Sequence, residues 1–409
     1  MAGALALCAA TASCLGHLPP CPAAGGPAWT ELQSAHFRLR TDAAPDDARR
    51  VVTDLEQFQI ATLFIVGAPI DLDTGRVPVV LLDHGWTDFM PRQFPGYFTH
   101  ALFQPLVVMM TESRLSAPTV VKHELIHYLS GMIMARQPPW LAEGLATFYE
   151  TLEYDVEAGR VTVGRPSADR LRGARLLGAS NIESILAAKT IDPDDTSRFY
   201  AAAWITTHYL MNHRIEALRG YERALRAGAT PEQAWTAAFG TETPRQLALA
   251  VRQYLDGGRY ELLVYGFKPG PLAAPTVRAL SDADAHATRA LLYVTGARAG
   301  AVAPALAPAP AQSKAAAQRE LAEARRQEPA HVMAGAIAHF MLDAPVDADQ
   351  AAAATRAHAG DWLAWMLFAE ASRQRGDGAG WNDAVARAVE TSRGDRSIHL
   401  PFVAIPRRL

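Results

Sequence analysis

Two hydrophobic periods divide this chain. Between residues 36 and 110 the apolar positions alternate or form short β-branched runs. His36-Phe37-Arg38-Leu39-Arg40 alternates and ends at Thr41-Asp42, and Val77 to Leu82 is a second run. Gly96-Tyr97-Phe98 and Leu106-Val107-Val108-Met109-Met110 are two more, close enough in sequence to pair. These patterns predict strands. Pro45-Asp46-Asp47 predicts a helix start, with acids at the positive dipole end, and Val51, Leu55, Phe58, Ile60, Ala61 and Phe64 give that helix an apolar face. The expected order is β-α-β-α-β-β, ending before a new helix at Pro118. From there to about 258 the spacing is helical, except for a hairpin expected over Val156 to Val163 around Ala158-Gly159. Tyr200 to Leu210 and Glu216 to Arg226 read as amphipathic helices, and Pro231 and Pro244 each open another. Further on, helices recur in pairs, over about 315–327, 331–342, 347–358, 361–374 and 379–392.

The 409 residues exceed what one compact core usually covers, so two folded units are expected. The boundaries drawn from sequence are an export segment over 1–26, a first domain over 27–265, a linker with one helix over 266–313, and an all-helical domain over 314–409. The Ala/Pro-rich stretch 300–313 marks the connector. A net charge of −3 leaves no global basic field, so nucleic acid and anionic membrane surfaces are not expected partners. The three cysteines, Cys8, Cys14 and Cys21, all precede the expected folded body, which argues against a core disulfide or a cysteine nucleophile. Residues 3–16 are small and apolar and read as an export signal, although no Lys or Arg precedes Arg38. Thr11-Ala12-Ser13-Cys14 loosely resembles a lipoprotein box, so a lipid on Cys14 and a plain export segment both stay open. The expected location is the periplasm or cell envelope, with membrane attachment only through that lipid.

The sharpest chemical signal is His123-Glu124-Leu125-Ile126-His127. On a helix, residues four apart share a face about 5–6 Å apart at Cβ, so two imidazoles can converge on one tetrahedral cation. Glu124 can then reach a water on that cation without ligating it. Zinc suits the pattern, because it takes nitrogen and oxygen donors and lowers the pKa of a bound water to around 7. The bare motif arises by chance in about 2% of chains of this size, so its surroundings must carry weight. They do: Leu125, Ile126, Leu129 and Ile133 make this a core helix. Pro138-Pro139-Trp140-Leu141-Ala142-Glu143-Gly144-Leu145-Ala146 follows, with Glu143 set among apolar residues. A carboxylate buried there without a partner is costly, and a metal removes the cost. A solvated helix-start acid is the plainer reading of Glu143 by itself.

The HELIH and PPWLAEGLA segments resemble the gluzincin metallopeptidases, in particular the bacterial peptidase-MA-like group, and WTELQSAHFRLRTD and the GYF strand fit that group's N-terminal part. The resemblance covers about residues 28–260. It implies a zincin-like α+β domain, with a small mixed sheet and a helical lobe, and one Zn²⁺ held by His123, His127 and Glu143. Glu124 is then the general base for hydrolysis of a peptide or protein substrate. The chain departs at Thr147, one turn after Glu143, where some gluzincins carry an acid that steadies a zinc-bound His. Similar members also tend to have a Tyr where Tyr200 stands, which makes Tyr200 the candidate for stabilising the oxyanion. A Tyr packed at a helix start with its hydroxyl at the surface is the alternative. His208, eight residues on, reads as a satisfied helix histidine. Substrate is expected along an edge strand, either Tyr97 to Phe103 or Leu106 to Met110. The helical pairs beyond 313 resemble tetratricopeptide repeats, with a spacing near 31 rather than 34, and could bind a protein partner. A catalytically silent scaffold working through those repeats is the rival function.

Overall fold

The computed structural model describes residues 18–90, 96–111, 119–178, 182–299 and 310–401. In chain order these form β1 (Thr30–Gln33), β2 (Phe37–Thr41), α1 (Pro45–Ile65), β3 (Val77–Leu82), β4 (Gly96–Ala101) and β5 (Gln104–Met110). Next come α2 (Thr119–Ile133), α3 (Pro139–Tyr149), β6 (Glu153–Asp155), β7 (Arg160–Val163), α4 (Ala168–Gly173), α5 (Ile182–Ala187) and α6 (Thr196–His213). Then follow α7 (Ile215–Arg226), α8 (Pro231–Phe239), α9 (Pro244–Gly257), β8 (Leu263–Gly266), β9 (Thr276–Ala279) and α10 (Asp282–Ala299). The chain closes with α11 (Pro310–Gln327), α12 (Val332–Ala336), α13 (Ala348–Ala357), α14 (Trp362–Gln374) and α15 (Gly378–Ser392). The fold is thus mixed α and β, and no helix among the described residues is long and apolar enough to cross a membrane.

Two compact units share these elements. Among the described residues, one takes in those of 18–54, 73–111 and 273–401; the other takes in those of 55–72 and 119–272. This partition differs from the sequence boundaries throughout: the expected first domain, 27–265, is divided between the two units, and the expected linker, 266–313, supplies β9 and α10 to the first. The helices expected as a separate domain over 314–409 belong to the same unit as the large sheet. The reason is packing: Leu82, Val108 and Met110 on the strands and Leu292 on α10, Leu321 on α11 and Ile337 just past α12 are buried in one core. The fold also begins earlier than residue 26, because Cys21 is buried in that core. The Cys14 reading and most of the 300–313 connector lie outside the described residues, and only 310–313 are seen, as the first turn of α11.

The large sheet has six strands in the order β4-β5-β3-β2-β1-β9. β2 and β5 run parallel to β3, and β1, β4 and β9 run antiparallel to their neighbours. The sequence reading missed β1, β8 and β9. Each is only four residues long, too short for alternation to stand out. It also expected a helix between β3 and β4, where the described residues hold one 3₁₀ turn, Trp86–Asp88. β5 is buried at all seven positions and paired on both sides, so Leu106 to Met110 is no edge. Tyr97 to Ala101, on β4, does lie at the sheet's margin.

The second unit is mostly helix with a small sheet, β6-β7-β8. The expected hairpin is β6 and β7, turning at Gly159 with φ +56°. α8 and α9 start at Pro231 and Pro244, each with a Thr side chain and a Gln three residues on closing a capping box.

Candidate metal centre

α2 and α3 meet in the second unit. α2 buries Val121, Leu125, Ile126, Leu129 and Ile133, which turns His123 and His127 along one line. Pro138, extended at φ −72° and ψ 156°, ends the connection and delivers Pro139 into the first turn of α3. Trp140, Leu141, Leu145 and Phe148 are each at most 1% exposed and lock the helix. Gly144 is required by the packing of α3 on α6: a Cβ there would lie 2.0 Å from Thr207 Oγ1 and 2.9 Å from the Ala203 carbonyl oxygen. That close crossing holds Glu143, the preceding residue, in a buried position.

Three sequence-selected side chains come together. His123 Nε2 and His127 Nε2 are 3.1 Å apart, and Glu143 Oε2 lies 3.3 Å from each. Tetrahedral zinc with bonds of about 2.0–2.1 Å separates its donor atoms by about 3.3 Å, so this triangle has the dimensions such an ion needs. Glu143 Oε2 is buried and has no hydrogen bond of good geometry, although it lies 3.3 Å from each imidazole. The donor set and the orphaned oxygen therefore fit a divalent metal. His127 leaves a quarter of its side chain exposed.

Electrostatics follow from burial and pairing. Burial alone would push the His123 pKa down, but the carboxylates of Glu143 and Glu150 outweigh it and hold it up at about 9. Burial would likewise raise Glu143, yet the two imidazoles bring it down to about 2. Tyr200 stacks on His123 with ring centroids 5.9 Å apart. Burial, then the negative charge and hydrogen bond of Glu143 and the charge of Glu124, push its phenol well above the usual range, so it stays protonated. The surface-hydroxyl alternative for Tyr200 does not describe this setting. Glu124 itself is half-buried on α2, close enough to act on Tyr200.

Two residues escaped the sequence reading. Glu150, at the end of α3 and 5% exposed, accepts from His123 Nδ1 at 2.9 Å. Arg170, on α4, donates to both its oxygens at 3.1 Å and lies 5.8 Å over the Tyr200 ring. Ser167 caps α4 by accepting from the Arg170 backbone N–H. A carboxylate on Nδ1 fixes the tautomer that leaves Nε2 free to ligate. The sequence signal was available: seven residues is close to two turns, so Glu150 follows Glu143 on the same face. Thr147, where the acid was sought, donates instead to the Glu143 carbonyl oxygen at 2.6 Å. His208 lies apart from this cluster in hydrogen-bonding role, with Nε2 3.0 Å from the Gly164 carbonyl and Nδ1 2.8 Å from the Tyr254 hydroxyl, a satisfied buried histidine.

Residues 118–228, which contain every residue of this cluster, match a family described as "Protein of unknown function (DUF1570)". A search of curated proteins returned no match.

Proposed function

We propose that this protein is a zinc-dependent peptidase of gluzincin type, with His123, His127 and Glu143 holding the ion. The observation that carries the reading is the triangle of two Nε2 atoms and one otherwise unsatisfied carboxylate oxygen, 3.1–3.3 Å on each side. When bound, zinc supplies a Lewis acid for the scissile carbonyl and for the attacking water. Glu124 sits on the next residue round the helix from His123, where it takes the water's proton and returns it to the leaving amine. Tyr200, kept protonated by its surroundings, donates a hydrogen bond to the developing oxyanion. Glu150 and Arg170 hold His123 in the ligating tautomer. The substrate class is peptides or proteins, and the C-terminal helical pairs are proposed to serve as a protein-binding surface.

The test is hydrolysis of a mixed peptide pool, followed by mass spectrometry alongside metal analysis. Wild-type protein should cleave, lose activity to a chelator and regain it with zinc. Glu124→Gln should keep its zinc and lose about 10²–10⁴-fold in turnover. Full activity in the chelated protein or in Glu124→Gln contradicts the assignment.

A further inference from the structure

The first unit contains a second convergence of metal-binding atoms, unrelated to the peptidase reading. Cys21, His286 and Glu320 offer a thiol sulfur, a ring nitrogen and a carboxylate oxygen within 4.8 Å of one another. His286 Nδ1 and Glu320 Oε2 are 2.5 Å apart, and the Cys21 thiol is within hydrogen-bond reach of the same imidazole. The three residues come from separate parts of the chain: the N-terminal turn, α10 and α11.

The thiol is held in place by backbone anchors on both sides. Ala23 N–H donates to Asp282 Oδ1 at 2.9 Å, and Arg289 Nη2 donates to the Pro19 carbonyl at 2.5 Å and the Pro20 carbonyl at 3.3 Å. Asp282, His286 and Arg289 are spaced i, i+4, i+7, so one face of α10 binds the turn and presents the imidazole. Cys21 is 4% exposed, which suits a ligand and not a nucleophile that must meet a substrate.

We infer that Cys21, His286 and Glu320 form a second divalent-metal site, which fastens the turn carrying Cys21 to the α10–α11 pair. A mixed sulfur, nitrogen and oxygen donor set suits zinc or cobalt(II), with a water completing four-coordination. Zinc donors of this kind sit about 3.3–3.7 Å apart, so on the ion the His286–Glu320 pair opens by about 1 Å and the wider pairs close by no more than about 1.5 Å. Binding displaces to solvent both the thiol proton and the proton that His286 Nδ1 shares with Glu320, and no redox change is involved.

Cobalt(II) reports the site directly, because only a thiolate ligand gives a sulfur-to-cobalt charge-transfer band in the near ultraviolet. The His123 centre has no sulfur and cannot produce it. Full-length protein, stripped and reloaded with cobalt, should show the band and bind two ions per chain. His127→Ala should retain the band, Cys21→Ser should lose it and fall to one ion, and Glu320→Gln should weaken this site about 100-fold while keeping the thiol. Circular dichroism checks that each variant folds, and Glu320→Gln carries the test if Cys21→Ser does not. Absence of the band in wild-type and His127→Ala, its survival in Cys21→Ser, or a disulfide at Cys21 in non-reducing peptide mapping overturns the inference. Because the band is independent of the His123 centre, its loss and the failure of the peptidase reading are separate results.

Discussion

Replacing Glu150 by Gln removes one charge and keeps the shape. Glu150 is 5% exposed and accepts from three donors: His123 Nδ1 at 2.9 Å and Arg170 Nε and Nη2 at 3.1 Å each. Gln has a single acceptor oxygen and an amide that donates. If the oxygen faces His123, the amide meets the Arg170 guanidinium, donor against donor. If the amide faces His123, the imidazole moves its proton to Nε2 and can no longer ligate. Either orientation forfeits one charge-assisted hydrogen bond in a site with little solvent to compensate, about 1.5–3 kcal/mol. At about 1.4 kcal/mol per decade this is roughly a 10–100-fold loss of zinc affinity, the range seen when partners of ligating histidines are removed. Competition with a chromophoric chelator at pH 7.5 measures it. A folded Glu150→Gln protein whose zinc affinity stays within about twofold of wild type would refute the reasoning.

Other consequences follow from the same geometry. Gly144→Ala places a methyl 2.0 Å from Thr207 Oγ1, so α3 and α6 must part; chemical denaturation should show a loss of about 1–3 kcal/mol, with weakened zinc binding, and an unchanged midpoint would contradict the close crossing. Tyr200→Phe should retain zinc and lower kcat by about 10–100-fold, measured on the best peptide found; an unaltered kcat removes Tyr200 from the oxyanion role. In metal-stripped protein, the His123 pKa of about 9 lies above its ordinary 6.5. The pairing therefore stabilises the fold fully below about pH 6.5 and is lost as pH rises through 9, a change on the order of 3 kcal/mol. A pH series of unfolding curves should show that decline in stripped wild type and not in His123→Ala, and parallel profiles would argue against the pairing.

The candidate metal centre was legible in sequence because it is local. His123 and His127 are one helical turn apart, and Pro138-Pro139 fixes where Glu143 enters. The need for Gly144 shows only in its neighbours Ala203 and Thr207, some sixty residues away. What resisted was contact between distant segments. Arg170 reaches Glu150 across twenty residues and a hairpin, with no periodic pattern to reveal it. Cys21 looked like part of a discarded leader because composition there is apolar and Pro/Gly-rich, yet Arg289 and Asp282 hold its turn onto α10. The helical pairs beyond 313 were found at nearly their observed limits from apolar spacing. Their membership in the sheet's unit depends on residues such as Leu321 and Ile337 facing Val108 and Met110 across hundreds of positions, which periodicity cannot report.

The central claim is that one ion is held by His123, His127 and Glu143. Anomalous diffraction at the zinc edge from zinc-loaded crystals tests it most directly. The expected result is a peak about 2.0–2.2 Å from His123 Nε2, His127 Nε2 and a Glu143 carboxylate oxygen. Density that leaves this position empty in zinc-saturated protein, or that turns the Glu143 side chain away from the two imidazoles, would contradict it.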